Sequence, residues 1–215
     1  MKDLTLTKDM LLRLYASGVF PMADGRDSAD IFMVDPTERG VFPLDGFHIS
    51  RSLAKRLRRA DFTVSLDQDF EAVVAACADR PETWINGPIF DLYADLHQSG
   101  WAHSLEVRDL KGALMGGVYG VTMGAAFFGE SMFSHSRDGS KIALAFLVDR
   151  LVQTGFQLFD TQFLTPHLAS LGAIEISREA YRSALHDALQ GSANLLADVA
   201  MATAQDVIQR NTQIS

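Results

Sequence analysis

Apolar and polar positions along this chain fall into two regimes that meet near Phe62. From there on the periodicity is regular. FTVSL (62–66) reads as a strand, and DFEAVVAACA (69–78) as a helix. A further helix is predicted over Gly87–Gln98, with Gly100 just past its end. Three strand patterns follow, at 103–107, 113–121 and 125–133, with short turns at 109–112 and 122–124; the spacing predicts an antiparallel meander. A strongly apolar helix is expected over 141–152, with Ser140 as a candidate N-cap, then the strand FQLFDTQF (156–163) and helices over 177–189 and 193–209. Before Phe62 the pattern predicts a helix from Asp9, as N-cap, to Gly18, as the residue beyond its end. The next stretch is punctuated by Pro21, Gly25, Pro36, Gly40, Pro43 and Gly46 and carries no long periodic run. These readings predict an α+β protein: a small loop-rich N-terminal domain (1–60), a domain with a mostly antiparallel sheet flanked by helices (61–190), and a C-terminal helical extension (191–215).

Two strands carry residues that a buried strand does not ordinarily hold. In 116–133, GGVYGVTMGAAFFGESMF, Glu130 is the sole ionisable carboxylate or amine among glycines and apolar residues. An acid in that setting needs either a buried partner, as in a core hairpin, or a task. In FQLFDTQF, alternation places Leu158, Asp160, Gln162 and Leu164 on one face, and Phe159, Thr161 and Phe163 on the other. If the 116–133 run is continuous to its end, Glu130 shares a face with Phe128 and Met132. Two acids and an amide then converge, either as a structural hydrogen-bond network or as a site.

Composition narrows the class. The chain has 215 residues, 47% hydrophobic and 21% charged, ordinary for a globular protein. No apolar run is long enough to cross a bilayer, and MKDLTLTKDM lacks the regions of a signal peptide. The single cysteine, Cys77, excludes an intramolecular disulfide and a cysteine-based zinc cluster. A cytoplasmic protein without membrane attachment is expected. The net charge of −8 argues against a nucleic-acid partner, yet it is unevenly spread. Arg51, Lys55, Arg56, Arg58 and Arg59 fall within nine residues that hold no acid. On a helix, Arg51, Lys55 and Arg58 or Arg59 share one face and Leu53 and Leu57 the other, which suits either a solvated surface or a phosphate-contacting one. Lys141 falls in the first turn of its helix, where the dipole disfavours a cation; this suits either a negatively charged ligand beside that terminus or a flexible surface lysine that tolerates the small penalty. Phosphate-loop, dinucleotide, HExxH and GxSxG signatures are all lacking, so neither a metal nor a cofactor is expected.

The ordered segments YASGVFPM (15–22), HISRS (48–52), TWI (83–85), HSLE (103–106), GGVYGV (116–121), FFGESMFS (127–134), SK (140–141), DTQF (160–163) and HLASLGA (167–173) resemble the leucyl/phenylalanyl-tRNA–protein transferases. FGESMFS together with D-x-Q is the specific part. The resemblance implies a small N-terminal domain joined to one like the GNAT acetyltransferases. It also implies transfer of Leu or Phe, and Met less efficiently, from aminoacyl-tRNA to an N-terminal Arg or Lys of an acceptor protein, marking it for N-end-rule degradation. The aminoacyl ester is already activated, so neither ATP nor a metal is required. By resemblance, Asp160 and Gln162 orient or activate the attacking amine, with hydrogen-bond positioning favoured and Asp160 supplying negative charge. Glu130 helps hold the aminoacyl-adenosine or the cationic acceptor. Val118, Phe127, Met132, Leu144 and Leu147 are expected to form the side-chain pocket. Trp84 would stack on the terminal adenine, and Arg51, Lys55, Arg56, Arg58, Arg59 and Lys141 would meet tRNA phosphates.

The chain departs from the family pattern at Met33 and Val34, where tryptophan is common. It departs also at Trp101 (often histidine), His135 (commonly arginine) and Pro166 (commonly aspartate). Two other readings of the same residues are a GNAT-type acyltransferase using a different activated donor, such as acetyl-CoA, and a noncatalytic module that binds tRNA or protein N-termini. The missing pyrophosphate loop weighs against the first. Retention of Glu130, Asp160 and Gln162 weighs against the second.

Overall fold

The computed structural model describes residues 6–26, 28 and 30–214. Residues 1–5, part of the segment read as lacking a signal peptide, and Ser215 of the expected extension lie outside the described residues. Nine strands are present among the described residues: β1 (Phe20–Ala23), β2 (Ile31–Val34), β3 (Glu38–Phe42), β4 (Phe62–Leu66), β5 (Ala102–Asp109), β6 (Leu114–Met123), β7 (Ala126–Ser134), β8 (Leu158–Gln162) and β9 (Ile174–Ser177). The helices are α1 (Lys8–Ala16), α2 (Arg51–Leu57), α3 (Phe70–Ala78), α4 (Gly87–Gln98), α5 (Gly139–Gln153), α6 (Pro166–Ala169), α7 (Arg178–Gln190) and α8 (Ala204–Ile214). The predicted α+β class holds.

Seven strands form one sheet in the order β4-β5-β6-β7-β8-β3-β9. Every neighbouring pair is antiparallel except β7 and β8, which run parallel. The meander of β5, β6 and β7 is as the alternation predicts, and the crossover through α5 makes the parallel pair. Strands β1, β2, β3 and β9 had no counterpart in the sequence pattern. They are four or five residues long, too short to show a period, and Pro21 and Gly40 interrupt β1 and β3. β3, from the first sixty residues, sits inside the main sheet between β8 and β9.

A core lies on each face of the sheet. On one side Leu53 and Leu57 of α2, the apolar run of α5, and Val207 and Ile208 of α8 are buried against Leu105, Val118 and Phe159. On the other side α1, α3, α4 and α7 bury Leu11, Tyr15, Val73, Ile89, Tyr93 and Tyr181 against Tyr119 and Phe128. Helix α5 lies directly on β6. A Cβ built on Gly116 would come within 2.4 Å of the Gly139 carbonyl carbon, so only glycine permits this approach.

Several helix ends differ from expectation. Thr7, not Asp9, caps α1, its hydroxyl accepting from the Met10 N–H. Helix α5 starts two residues early, at Gly139, behind a left-handed Asp138, so Ser140 lies inside it. Residues 191–203 are irregular instead of helical, and the last helix begins at Ala204. The Arg150 guanidinium holds this turn-rich stretch out of a helix by donating to the carbonyls of Leu195, Ala197 and Val199, acceptors that a helix would keep for itself.

Candidate active site

β7 carries a bulge where Glu130 stands. Tyr119 pairs with Ser131 and the next residue, Gly120, with Gly129, leaving Glu130 without a cross-strand partner. The bulge overturns the continuous alternation expected there. Glu130 stays on the Phe128 side, whereas Met132 packs against the opposite core. β7 and β8 pair only from Ala126↔Leu158 to Phe128↔Asp160. Past that point a cleft of about 240 Å³ is lined by Trp84, Val118, Glu130, Met132, Leu144 and Phe159.

Glu130 is 7% exposed and bonded on both oxygens. The Tyr15 hydroxyl donates to Oε1 at 2.7 Å. The Tyr93 hydroxyl donates to Oε2 at 2.6 Å, and Gln162 Nε2 donates to the same oxygen at 3.0 Å. The two tyrosine oxygens are themselves 2.6 Å apart. Burial pushes the Glu130 carboxyl up to about 7, with the charge of Asp160 adding to the rise; the hydrogen bonds from Tyr93, Tyr15 and Gln162 work against it. Burial, with the Glu130 charge next, raises both tyrosine hydroxyls far above their ordinary value, so they remain donors.

Asp160 is completely buried. Its Oδ1 accepts from Arg39 Nε at 2.9 Å and from the Gln162 backbone N–H at 2.7 Å. Its Oδ2 accepts from Arg39 Nη2 at 2.6 Å and from the Tyr181 hydroxyl at 2.7 Å. Arg39 is 1% exposed. Burial opposes its charge, but Asp160 outweighs that and holds its pKa above the ordinary guanidinium value. Gln162 ends β8 with φ +64, a left-handed conformation that glutamine rarely adopts.

The other predicted residues divide. Val118, Met132 and Leu144 line the cleft; Phe127 and Leu147 do not, being core residues behind it. Phe127 packs edge-on against Phe159 at 5.3 Å. Trp84 is half-buried at the cleft, its ring edge-on to Tyr93 at 6.4 Å. On α2, Arg51, Lys55 and the adjoining Arg58 are exposed and make no ion pair among the described residues. Arg56 is paired with Asp61 and lies 5.5 Å from the Phe62 ring centre, and Arg59 also pairs with Asp61, at 2.9 Å. Lys141 Nζ is 3.6 Å from Asp138 Oδ1, so a carboxylate of the chain itself, three residues earlier, offsets the helix dipole there.

The family model described as leucyl/phenylalanyl-tRNA protein transferase matches residues 41–186, more than half of the chain. The chain belongs to this family. A Cereibacter sphaeroides protein named leucyl/phenylalanyl-tRNA–protein transferase is 62% identical over 215 residues, covering all of both chains. One of the same name from Ruegeria pomeroyi is 60% identical over 212 residues, 99% of this chain and all of that one. Among solved structures, FemX matches with a TM-score of 0.50 at 12% identity, over 81% of this chain and 70% of that one; this likeness concerns the fold alone. In this member of the leucyl/phenylalanyl-tRNA protein transferase family, the HSLE segment braces β5 against β4 and the loop after it. Glu106 is fully buried and accepts from Ser104 Oγ at 2.5 Å and Ser65 Oγ at 2.6 Å, while His103 Nδ1 lies 2.6 Å from Asp67 Oδ2.

Four residues of the network escaped the sequence pattern: Tyr15, Arg39, Tyr93 and Tyr181. The tyrosines occupy the apolar stripes of α1, α4 and α7, where they read as core. Arg39 sits in a strand too short to register as one, so nothing flagged it as buried.

Proposed function

We propose that this chain transfers Leu or Phe, and Met less efficiently, from aminoacyl-tRNA to the N-terminal Arg or Lys of acceptor proteins in the cytoplasm, marking them for degradation. The observation that carries the reading is a buried, hydrogen-bonded carboxylate lining a largely apolar cleft, in a member of this family. Val118, Met132 and Leu144 receive the aminoacyl side chain, with Phe159 opposite. Trp84 stacks on the terminal adenine. Arg51, Lys55 and Arg58 meet tRNA phosphates, with Lys141 nearer the reacting end. Three parts of the chain then share the work: residues 1–60 hold the tRNA-facing helix, 61–190 carry the chemistry, and 191–215 back the body.

In the reaction the acceptor α-amine forms a bond to the ester carbonyl carbon, and the bond from that carbon to the ribose 3′ oxygen breaks. The amine must lose a proton and the leaving oxygen must gain one. Glu130, with its carboxyl near neutrality, takes the first proton and returns it to the departing oxygen. Gln162, bonded to Glu130, aligns the amine; an amide is too weak a base to do more. Apolar walls limit competing hydrolysis of the ester.

Incubation with Leu-tRNA and a peptide beginning with Arg tests the proposal. Leucine should appear on the peptide N-terminus in a tRNA-dependent, ribonuclease-insensitive form. Absence of that product would sink the reading.

A further inference from the structure

Asp160 has no capacity left for a substrate. A carboxylate offers about four lone-pair sites, and four donors fill them: Arg39 Nε, Arg39 Nη2, the Tyr181 hydroxyl and the Gln162 backbone N–H. Its charge is matched in place. The Arg39 guanidinium lies between two rings, 4.5 Å from the Phe20 centre and 4.4 Å from that of Tyr181. Its remaining Nη1 donates to the Gly18 carbonyl at 2.9 Å. Both charged groups are sealed from water, and Asp160 is absent from the cleft wall that Glu130 joins.

What emerges from this closed unit is the backbone of Gln162. Its left-handed conformation is one that a residue with a side chain seldom adopts. The Asp160 Oδ1 bond to the Gln162 N–H, 2.7 Å long, fastens it there, and the Gln162 amide then meets Glu130. β3 accommodates the departing strand with a glycine: a Cβ on Gly40 would lie 2.6 Å from the Phe163 carbonyl carbon.

We propose that Asp160 and Arg39 are positioning residues that act on the reaction by holding the left-handed backbone of Gln162, and that Asp160 neither touches the substrates nor exchanges a proton in the transfer step. The proposal rests on the aminoacyl-transfer reading above. It makes the oxygen of residue 160 necessary as an acceptor, whereas its charge is needed chiefly because Arg39 faces it.

The double-variant cycle of Asp160→Asn and Arg39→Met tests this. Each single change leaves one buried charge unpaired and should reduce kcat by about a hundredfold or more. Combined, they remove both charges, while the side-chain carbonyl oxygen that Asp160→Asn retains still accepts from the Gln162 N–H. The double variant should therefore regain at least about tenfold in kcat over either single one, with KM for Leu-tRNA and peptide near the wild-type values. A double variant that folds, by near-ultraviolet circular dichroism, yet stays as slow as Asp160→Asn would overturn the proposal. Should that protein not fold, Tyr181→Phe serves, since it deletes one donor to Asp160 and keeps the ion pair. The pH–rate profile should then keep its acid limb at the wild-type position. A displaced limb would mean that the charge of Asp160 governs the reaction directly, which overturns the proposal. Wild-type protein that transfers nothing in the same assay would instead remove the reading beneath it.

Discussion

At the scale of single residues, Glu130 sets the pH behaviour. Its carboxyl is pushed up to about 7 from an ordinary 4.5, chiefly by burial. Because the folded value lies above the unfolded one, the folded protein holds a proton that the unfolded chain has released between those limits. The stabilising contribution is therefore complete below about pH 4.5 and is lost as pH rises towards 7. Activity should move the other way, since the ionised carboxylate accepts the amine proton: the rate should climb through about pH 7 and level off. Glu130→Gln should abolish that limb and lower kcat by roughly 10²- to 10⁴-fold. The tyrosines give a finer check. Their hydrogen bonds favour the charged form, so Tyr15→Phe or Tyr93→Phe should shift the limb to higher pH by about one unit, read from pH–rate profiles.

At the scale of elements, the basic helix and the close approach at Gly116 make separable demands. Charge reversal at Arg51, Lys55 and Arg58 should weaken tRNA binding and flatten its salt dependence by about 0.7–0.9 in log–log slope for each phosphate no longer neutralised. Reversal at Arg56 should act chiefly on stability, because its partner is Asp61 and its charge lies over Phe62. Titrations of binding against salt, paired with thermal melts, distinguish the two effects. Gly116→Ala would drive a methyl into the Gly139 backbone and should cost about 1–3 kcal/mol in denaturant unfolding. Such elements also show what was legible in the chain. The face shared by Arg51, Lys55 and Arg58 followed from helical spacing, and the meander from alternation and turn residues. The bulge at Glu130 did not, because one extra residue leaves local composition unchanged while reversing every later side chain. Thus Glu130 and Met132 were placed together by a rule that the strand breaks. Tyr15, Tyr93 and Tyr181 were hidden for a related reason: an apolar stripe reports that a residue is buried, but not that its polar tip meets another element's carboxylate.

At the scale of the whole molecule, the C-terminal stretch ties the body together around α5. Arg150, 6% exposed, gathers the carbonyls of three residues from the 195–199 segment. Beside it in the sequence, Asp149 receives both arms of Arg210 at 2.7 Å, and Asn211 donates to the Phe47 carbonyl just ahead of α2. α8 thereby rests on both α5 and the basic helix, on the face of the sheet opposite Tyr15 and Tyr93. A single guanidinium is thus the hub for an irregular segment that makes no sheet pairing of its own among the described residues. Arg150→Met fills much of the same volume but removes every donor. It should cost about 2–4 kcal/mol and open residues 191–203 to protease while the rest of the chain stays resistant. The Glu130 network lies across the sheet and shares no partner with Arg150, so the pH limb of the surviving folded protein should not move. A time course of limited proteolysis, run beside the pH–rate profile of the same variant, checks both halves. Early cleavage within α3 or α4, or a displaced limb, would mean that the C-terminal clasp and the site are coupled through the sheet.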